Sequence, residues 1–383
     1  MPQTDYIKQI SKIVGHETFL NLSPKSSVGL ITKTFASKNN KTFIRNFNNR
    51  VKRLMDIYKS DEHRSVIINR LKGISGKKWT GDFAELSAYD YLNFGKEGLL
   101  YSIDLDKEVQ DTTTLAKQFK NRNGEPKLDC YFRDFDVYID VKRLSDNVKE
   151  LLEGIYKEVR EKSGRSDFYI TEERDSDLDF KIIENKRNEL LNELVNEINS
   201  SRQPYIFRSK SVPQITFRFH WESGSYISIH FYNPYRHAKE HHKLTFKNAH
   251  QFVVNKPFLL LFVVFPWFNG IVKNFNNSNQ IFYRSFSRRV FFQYKNDETQ
   301  FRTLNPEFNS DDTIYSVSKK LSGIVFLEDH SITSTSYDKP YNQYSAFAYL
   351  NPNADNSVIG TVFHEYLRSL PRIECDDFEF DNY

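Results

Sequence analysis

Apolar and polar residues alternate most clearly between Lys127 and Arg143. In the first half the alternating apolar residues are Leu128, Cys130 and Phe132, and in the second half they are Val137, Ile139 and Val141. The residues between the two halves, Arg133–Asp136, are typical of a turn. Since side chains two apart on a strand share a face, the pattern predicts an antiparallel hairpin. We expect this hairpin to be central or near-central in the main sheet.

Helical spacing of apolar residues predicts the elements before the hairpin. Residues 40–72 carry Phe43, Phe47, Val51, Leu54 and Tyr58 at intervals of three or four, which predicts two helices with a break near Ser60–Asp61. A third helix is predicted over Thr80–Leu92, and a strand over Leu99–Asp104. The hairpin is therefore preceded by helices and one strand.

After the hairpin, the pattern predicts further alternation of helices and strands. Helices are expected near 146–162, 182–199 and 234–254, and β-rich runs lie between 205 and 232. The continuous apolar run Phe258–Phe265 is typical of a strand buried on both faces, and Ser322–Leu327 of a later strand.

This order predicts an α/β (α+β) fold with a mixed central β-sheet flanked by helices. We expect a basic helical N-terminal region (1–75), a core (76–300) and a mixed C-terminal region with an acidic tail (301–383). The core would hold a long insertion at about 163–250.

The composition indicates a folded protein without a membrane-spanning segment. The chain has 383 residues, of which 39% are hydrophobic and 27% charged, too apolar for a disordered chain. Its longest clean apolar run is about half the length that crosses a bilayer. The first residues lack the apolar centre of a signal peptide, and two cysteines cannot form a disulfide framework. We therefore expect a soluble, cytoplasmic protein.

The distribution of charge is more informative than its total of +4. Residues 1–80 contain 16 lysines and arginines against 5 acids, which gives this segment +11. Such a block could neutralise the phosphates of a nucleic acid, or it could be a solvated surface. The candidates for phosphate contacts, which lie on or beside one helical segment, are Arg45, Arg50, Lys52 and Arg53.

Four charged residues suggest a catalytic site. Glu85 lies on the predicted third helix, Asp129 on the first hairpin strand, and Asp140 and Lys142 on the second. Asp129 can lie near Asp140 across the hairpin, and two close carboxylates repel unless a cation lies between them. A site of two or three carboxylates suits Mg²⁺, and a lysine beside it can offset charge on a phosphate.

Over roughly residues 78–165 the sequence resembles the PD-(D/E)xK nuclease superfamily, which has the restriction-endonuclease-like fold. Asp129 matches the first acid, Asp140-Val141-Lys142 matches the D-x-K tripeptide, and Glu85 matches an acid that many members carry on the preceding helix. Leu128 stands where the family has a proline.

The resemblance implies a restriction-endonuclease-like core and a metal-dependent endonuclease that hydrolyses DNA phosphodiester bonds. Glu85, Asp129, Asp140 and Lys142 would be catalytic, and the three acids would hold Mg²⁺, with Mn²⁺ as a substitute. The partner would be double-stranded DNA, and the role would be bacterial restriction or phage defence. A homodimer or a partner subunit of a defence complex is a further expectation.

Other interpretations of the same residues stay open. Acid-x-lysine strings also occur at Glu125, Asp179 and Glu184, so the tripeptide alone is weak, and Asp140 and Lys142 could be an exposed pair. The chain could instead be a non-catalytic nucleic-acid-binding subunit of a defence complex, or an RNA-directed nuclease. His237 and His241, four apart with Glu240 between them, could bind a metal, although a basic face is favoured.

Overall fold

The computed structural model describes residues 41–74, 79–95, 102–109, 114–120, 126–175, 178, 180–200, 204–221, 233–266, 278–332 and 339–379. The chain divides into a larger unit, Met1–Leu144 with Pro234–Tyr383, and a smaller unit, Ser145–Asn233. The smaller unit therefore begins and ends earlier than the insertion expected at about 163–250. Within the basic N-terminal block, residues 1–40 and 75–78 lie outside the described residues.

Three helices precede the hairpin, as predicted: α1 (Lys41–Ile57), α2 (Asp61–Gly73) and α3 (Trp79–Leu92). Ser60 explains the break between the first two, because its hydroxyl accepts a hydrogen bond from the backbone N–H of His63 and so caps α2. Next come β1 (Ile103–Glu108), β2 (Lys127–Phe132) and β3 (Val137–Arg143). The last two form the predicted antiparallel hairpin.

The smaller unit contains its own core. Its elements are α4 (Asn147–Ser163), β4 (Phe168–Arg174), α5 (Phe180–Asn185), α6 (Arg187–Ser200), β5 (Tyr205–Arg208) and β6 (Ile215–Trp221). Within the described residues the strands form an antiparallel sheet in the order β4-β6-β5. Burial alternates along β6, and its inward residues pack with apolar residues of α4 and α6.

The chain returns to the larger unit with α7 (Pro234–His241), β7 (Phe258–Val264) and α8 (Ser278–Phe292). The helix predicted over 234–254 is α-helical only in α7, and residues His242–Gln251 continue as a 3₁₀-helix. Then follow α9 (Ile314–Ser318), β8 (Gly323–Asp329), β9 (Tyr344–Leu350), α10 (Val362–Ser369) and β10 (Ile373–Asp376).

Within the described residues, seven strands form a mixed sheet in the order β1-β2-β3-β7-β8-β9-β10. β3, β7 and β8 are parallel neighbours, whereas β1 with β2, β2 with β3, and β8 with β9 are antiparallel. The α/β (α+β) class with a mixed central sheet is therefore confirmed. Strands β8 to β10 belong to this sheet, although residues 301–383 were expected to form a separate region.

Helices cover both faces of the main sheet. Every residue of β7 is buried, and its side chains alternate between two apolar cores. Leu259 and Leu261 pack in the core that α1, α2 and α3 share, whereas Leu260 and Phe262 pack in the core of α7 and α8. The prediction of a strand buried on both faces is confirmed.

Candidate functional site

The two hairpin strands separate at Asp129. Their pairing runs from Phe132↔Val137 to Cys130↔Ile139. At the next position the Oδ2 atom of Asp129 accepts a hydrogen bond from the backbone N–H of Val141, at 2.7 Å. The carboxylate therefore takes the place of a backbone partner of β3, which fixes it in the gap between the strands.

Strand β1, which pairs with β2, and β2 itself are both irregular beside Asp129. Asp106 has a φ of 52°, in the left-handed region, between residues of β1 that pair regularly with β2. Leu128 packs in the core of α7 and α8, whereas Cys130 and Phe132 pack in the core of α1 to α3. The expectation that these three apolar residues share one face is therefore wrong for Leu128. In the strand register Asp106 lies opposite Asp129, so both irregularities adjoin Asp129.

Helix α3 brings Glu85 to this gap. The helix packs against β3 and β7, and the hydroxyl of Tyr89, one turn after Glu85, lies 3.3 Å from the Glu85 Oε2 atom. Oxygen atoms of Glu85, Asp106 and Asp129 all lie within 4.8 Å of one another. We call these three side chains the carboxylate cluster.

Asp140 and Lys142 lie beside the carboxylate cluster on β3. The Lys142 ammonium nitrogen is 2.9 Å from Asp140 Oδ1 and 2.7 Å from Asp140 Oδ2. The Asp140 side chain is 1% exposed, so the pair is not the exposed one that the sequence left open. Although burial opposes it, the charges of Asp140, Asp129 and Glu85 raise the pKa of Lys142. The lysine is therefore protonated at neutral pH.

The carboxylates are crowded, and their pKa values reflect it. Burial, followed by the charge of Asp129, raises the pKa of Glu85 to about 8, against the opposing effect of Arg70. Burial and the neighbouring Asp140 carboxylate raise the pKa of Asp129 well above its usual range. Bringing these acids together costs free energy that a bound cation could recover.

Sequence reasoning missed Arg70 and Asp106. Arg70 on α2 contacts Glu85 through its Nε atom, and its Nη2 atom lies 2.8 Å from Asp106 Oδ1 and 3.9 Å from Asp129 Oδ1. A signal for Arg70 was present, because it follows the buried residues Val66 and Ile67 by one helical turn. A basic residue on the buried side of a helix requires an acidic partner.

Two of the expected phosphate contacts are engaged within the protein. Arg50 is fully buried, with its Nη2 atom 2.8 Å from Asp329 Oδ2, so its assignment as a phosphate contact is wrong. It lies between apolar positions of α1 and faces the core. Arg53 makes a bidentate pair with Asp90 and is 24% exposed.

The other two candidates for phosphate contacts differ in their exposure. Arg45 is half-buried and Lys52 is exposed. Of the four candidates, only the Lys52 side chain is therefore positioned as a surface phosphate contact requires.

A second group of metal-binding side chains occurs on α7. Ligand atoms of His237, Glu240 and His241 lie within 4.8 Å of one another. However, Glu240 accepts a hydrogen bond from Arg236 at 2.9 Å, and His241 Nδ1 lies 2.8 Å from the carbonyl oxygen of His237. Glu240 and His241 thus already contact other groups of the protein.

Among the described residues there is no helix of the length and apolar character needed to cross a membrane. Comparison of the chain with protein-family models, with curated proteins and with solved structures finds no match.

Proposed function

We propose that this chain is a metal-dependent endonuclease that hydrolyses phosphodiester bonds in DNA. The observation that carries the proposal is the convergence of Glu85, Asp129, Asp140 and Lys142 at the point where the hairpin strands separate. These residues come from a helix and two strands, in the order that the resemblance requires. The resemblance would also give the enzyme a role in restriction or phage defence.

The carboxylate cluster fits a divalent cation. Oxygen atoms within 4.8 Å of one another on Glu85, Asp106 and Asp129 match the oxygen ligands that Mg²⁺ prefers, and Mn²⁺ would be a substitute. Burial, followed by the charge of Asp129, raises the pKa of Glu85, so a bound cation would favour the charged carboxylate. When bound, the ion would offset negative charge on the phosphate that is being attacked. Asp140, which the sequence suggested as a ligand, would assist from beside the cluster.

Lys142 would act on the phosphate directly. Its ammonium group is held by Asp140 and carries its charge at neutral pH, and its side chain is 25% exposed. A fixed positive charge stabilises the negative charge that develops on the phosphoryl oxygens in the transition state. Asp140 would position this ammonium, and Asp129 would be positioned in turn by the Val141 N–H.

A second candidate is a nucleic-acid-binding subunit without catalytic activity. Arg70 favours it, because its guanidinium already contacts Glu85 and Asp106 and so supplies positive charge to the carboxylate cluster. If this ion pair were permanent, the acids would have a structural role only.

Cleavage of supercoiled plasmid separates the two candidates. The wild-type chain should nick or linearise plasmid with Mg²⁺ and not with EDTA, whereas Asp140→Asn should leave the plasmid intact. The matched control is Asp136→Asn, because Asp136 lies on the same hairpin and also pairs with a lysine, Lys256, at 2.7 Å. Cleavage by Asp140→Asn at the wild-type rate would contradict the site. A parallel assay on RNA would identify an RNA-directed nuclease.

A further inference from the structure

A basic cavity of about 690 Å³ lies between α7 and α8. The bases that line it are Arg284, Arg288, Arg289 and Lys295, and the described lining residues include no carboxylate. Apolar residues of α8 belong to the core on one face of the main sheet, and those of α3 to the core on the other face. The basic cavity is therefore separate from the carboxylate cluster, and the two share no residue.

Three of the four bases that line the cavity lie close together on α8. Arg284 and Arg288 are four apart, Arg289 follows at once, and like charges one helical turn apart destabilise a helix. Arg284 pairs through Nε with Asp376 at 2.7 Å. Arg289 donates to the neutral amide oxygen of Gln293 at 3.1 Å, which leaves its charge unbalanced by that contact. A bound anion would relieve this repulsion.

Two aromatic side chains add a second recognition element. Tyr235 on α7 is 59% exposed, and Phe292 lies at the end of α8 on the lining of the same cavity. Arginine forks bind phosphate oxygens in pairs, and nucleobases stack on aromatic rings. The volume falls in the range of pockets that bind small ligands. Phosphate recognition and base stacking are therefore available in one cavity.

We infer that the basic cavity binds a nucleoside phosphate, either as a free nucleotide or as part of a single-stranded nucleic acid. Arg288, Arg289 and Lys295 contact the phosphates, and Tyr235 stacks on the base. The inference does not depend on the carboxylate cluster, so it can be tested independently of the nuclease activity.

Calorimetric titration of the full chain in EDTA tests the inference without cleavage. The probes are inorganic pyrophosphate, ADP and a 5′-phosphorylated oligothymidylate of about eight nucleotides. The double variant Arg288→Gln with Lys295→Gln should bind ADP and the oligonucleotide at least about tenfold more weakly. The charge-matched control is Arg302→Gln with Lys157→Gln, two exposed bases outside the cavity, which should bind both as the wild type does.

Tyr235→Ala provides an independent measurement, because Tyr235 is exposed and its loss should leave the fold intact. It should weaken ADP and oligonucleotide binding but leave pyrophosphate binding unchanged. Tighter binding of the oligonucleotide than of ADP would identify a nucleic-acid strand as the ligand, and the reverse a free nucleotide. The inference is wrong if none of the probes binds below about 1 mM, or if the cavity variant and the control variant bind alike.

Discussion

Arg70 and a divalent cation should compete for the same carboxylates. The guanidinium contacts Glu85, lies 2.8 Å from Asp106 Oδ1, and lies 3.9 Å from Asp129 Oδ1. These are the side chains whose oxygens lie within 4.8 Å of one another. A cation bound to those oxygens would take the position of the guanidinium, so Arg70 must move or share its partners. We predict that Arg70→Gln binds Mn²⁺ more tightly than the wild type does.

The structure sets the size of the two expected effects. Removing one partner of a buried ion pair costs about 3–5 kcal/mol, and the 24% exposure of Arg70 reduces this to about 2–4 kcal/mol without metal. The raised pKa of Glu85 limits the loss further, because the carboxyl can take up a proton. Losing a competing positive charge should raise the Mn²⁺ affinity at least about tenfold, or about 1.4 kcal/mol.

Two measurements on the same variant check this prediction. Urea unfolding in EDTA gives the loss of stability, and calorimetric titration with MnCl₂ gives the affinity. The control is Arg53→Gln, because Arg53 is also 24% exposed and pairs with a buried acid, Asp90. It should lose stability without a change in Mn²⁺ affinity. Equal or weaker Mn²⁺ binding by Arg70→Gln would refute the competition.

Three further predictions concern single side chains. Lys142→Ala should lower the single-turnover cleavage rate by a factor of about 10²–10³ and change the DNA dissociation constant much less, because the charge acts mainly in the transition state. Near-normal cleavage by this variant would mean that the pairing of Lys142 with Asp140 is purely structural. Arg50→Gln should lower the free energy of unfolding by about 3–5 kcal/mol in urea, because it leaves Asp329 buried without its guanidinium; a loss under about 1 kcal/mol would contradict this. The pKa of Glu85 rises from 4.5 to about 8 on folding, so the free energy of unfolding without metal should fall as the pH increases from about 4.5 to about 8. Urea unfolding at several pH values should show a smaller fall for Glu85→Gln than for the wild type. An unchanged pH dependence would show that another group takes up the proton.

Local patterns along the chain specify the helices and strands that build the site. Alternation along Lys127–Arg143 depends only on residues two apart, and it predicted the hairpin of β2 and β3. The apolar run Phe258–Phe265 likewise predicted β7, because a strand buried on both faces needs no polar residues. These patterns also placed Glu85, Asp129, Asp140 and Lys142 on their elements.

The partner of each charged residue, in contrast, depends on how distant segments of the chain pack together. Arg50 follows Phe47 by three residues on the apolar side of α1, but its partner Asp329 lies 279 positions later, on β8. Arg70 is brought to Glu85 by the packing of α2 against α3, and to Asp106 by the position of β1. Periodicity reports the geometry of neighbours along the chain, whereas the partner of a charge depends on contacts between distant segments. For this reason the sequence predicted Glu85 and Asp129 but neither Asp106 nor the contacts of Arg70 with these acids.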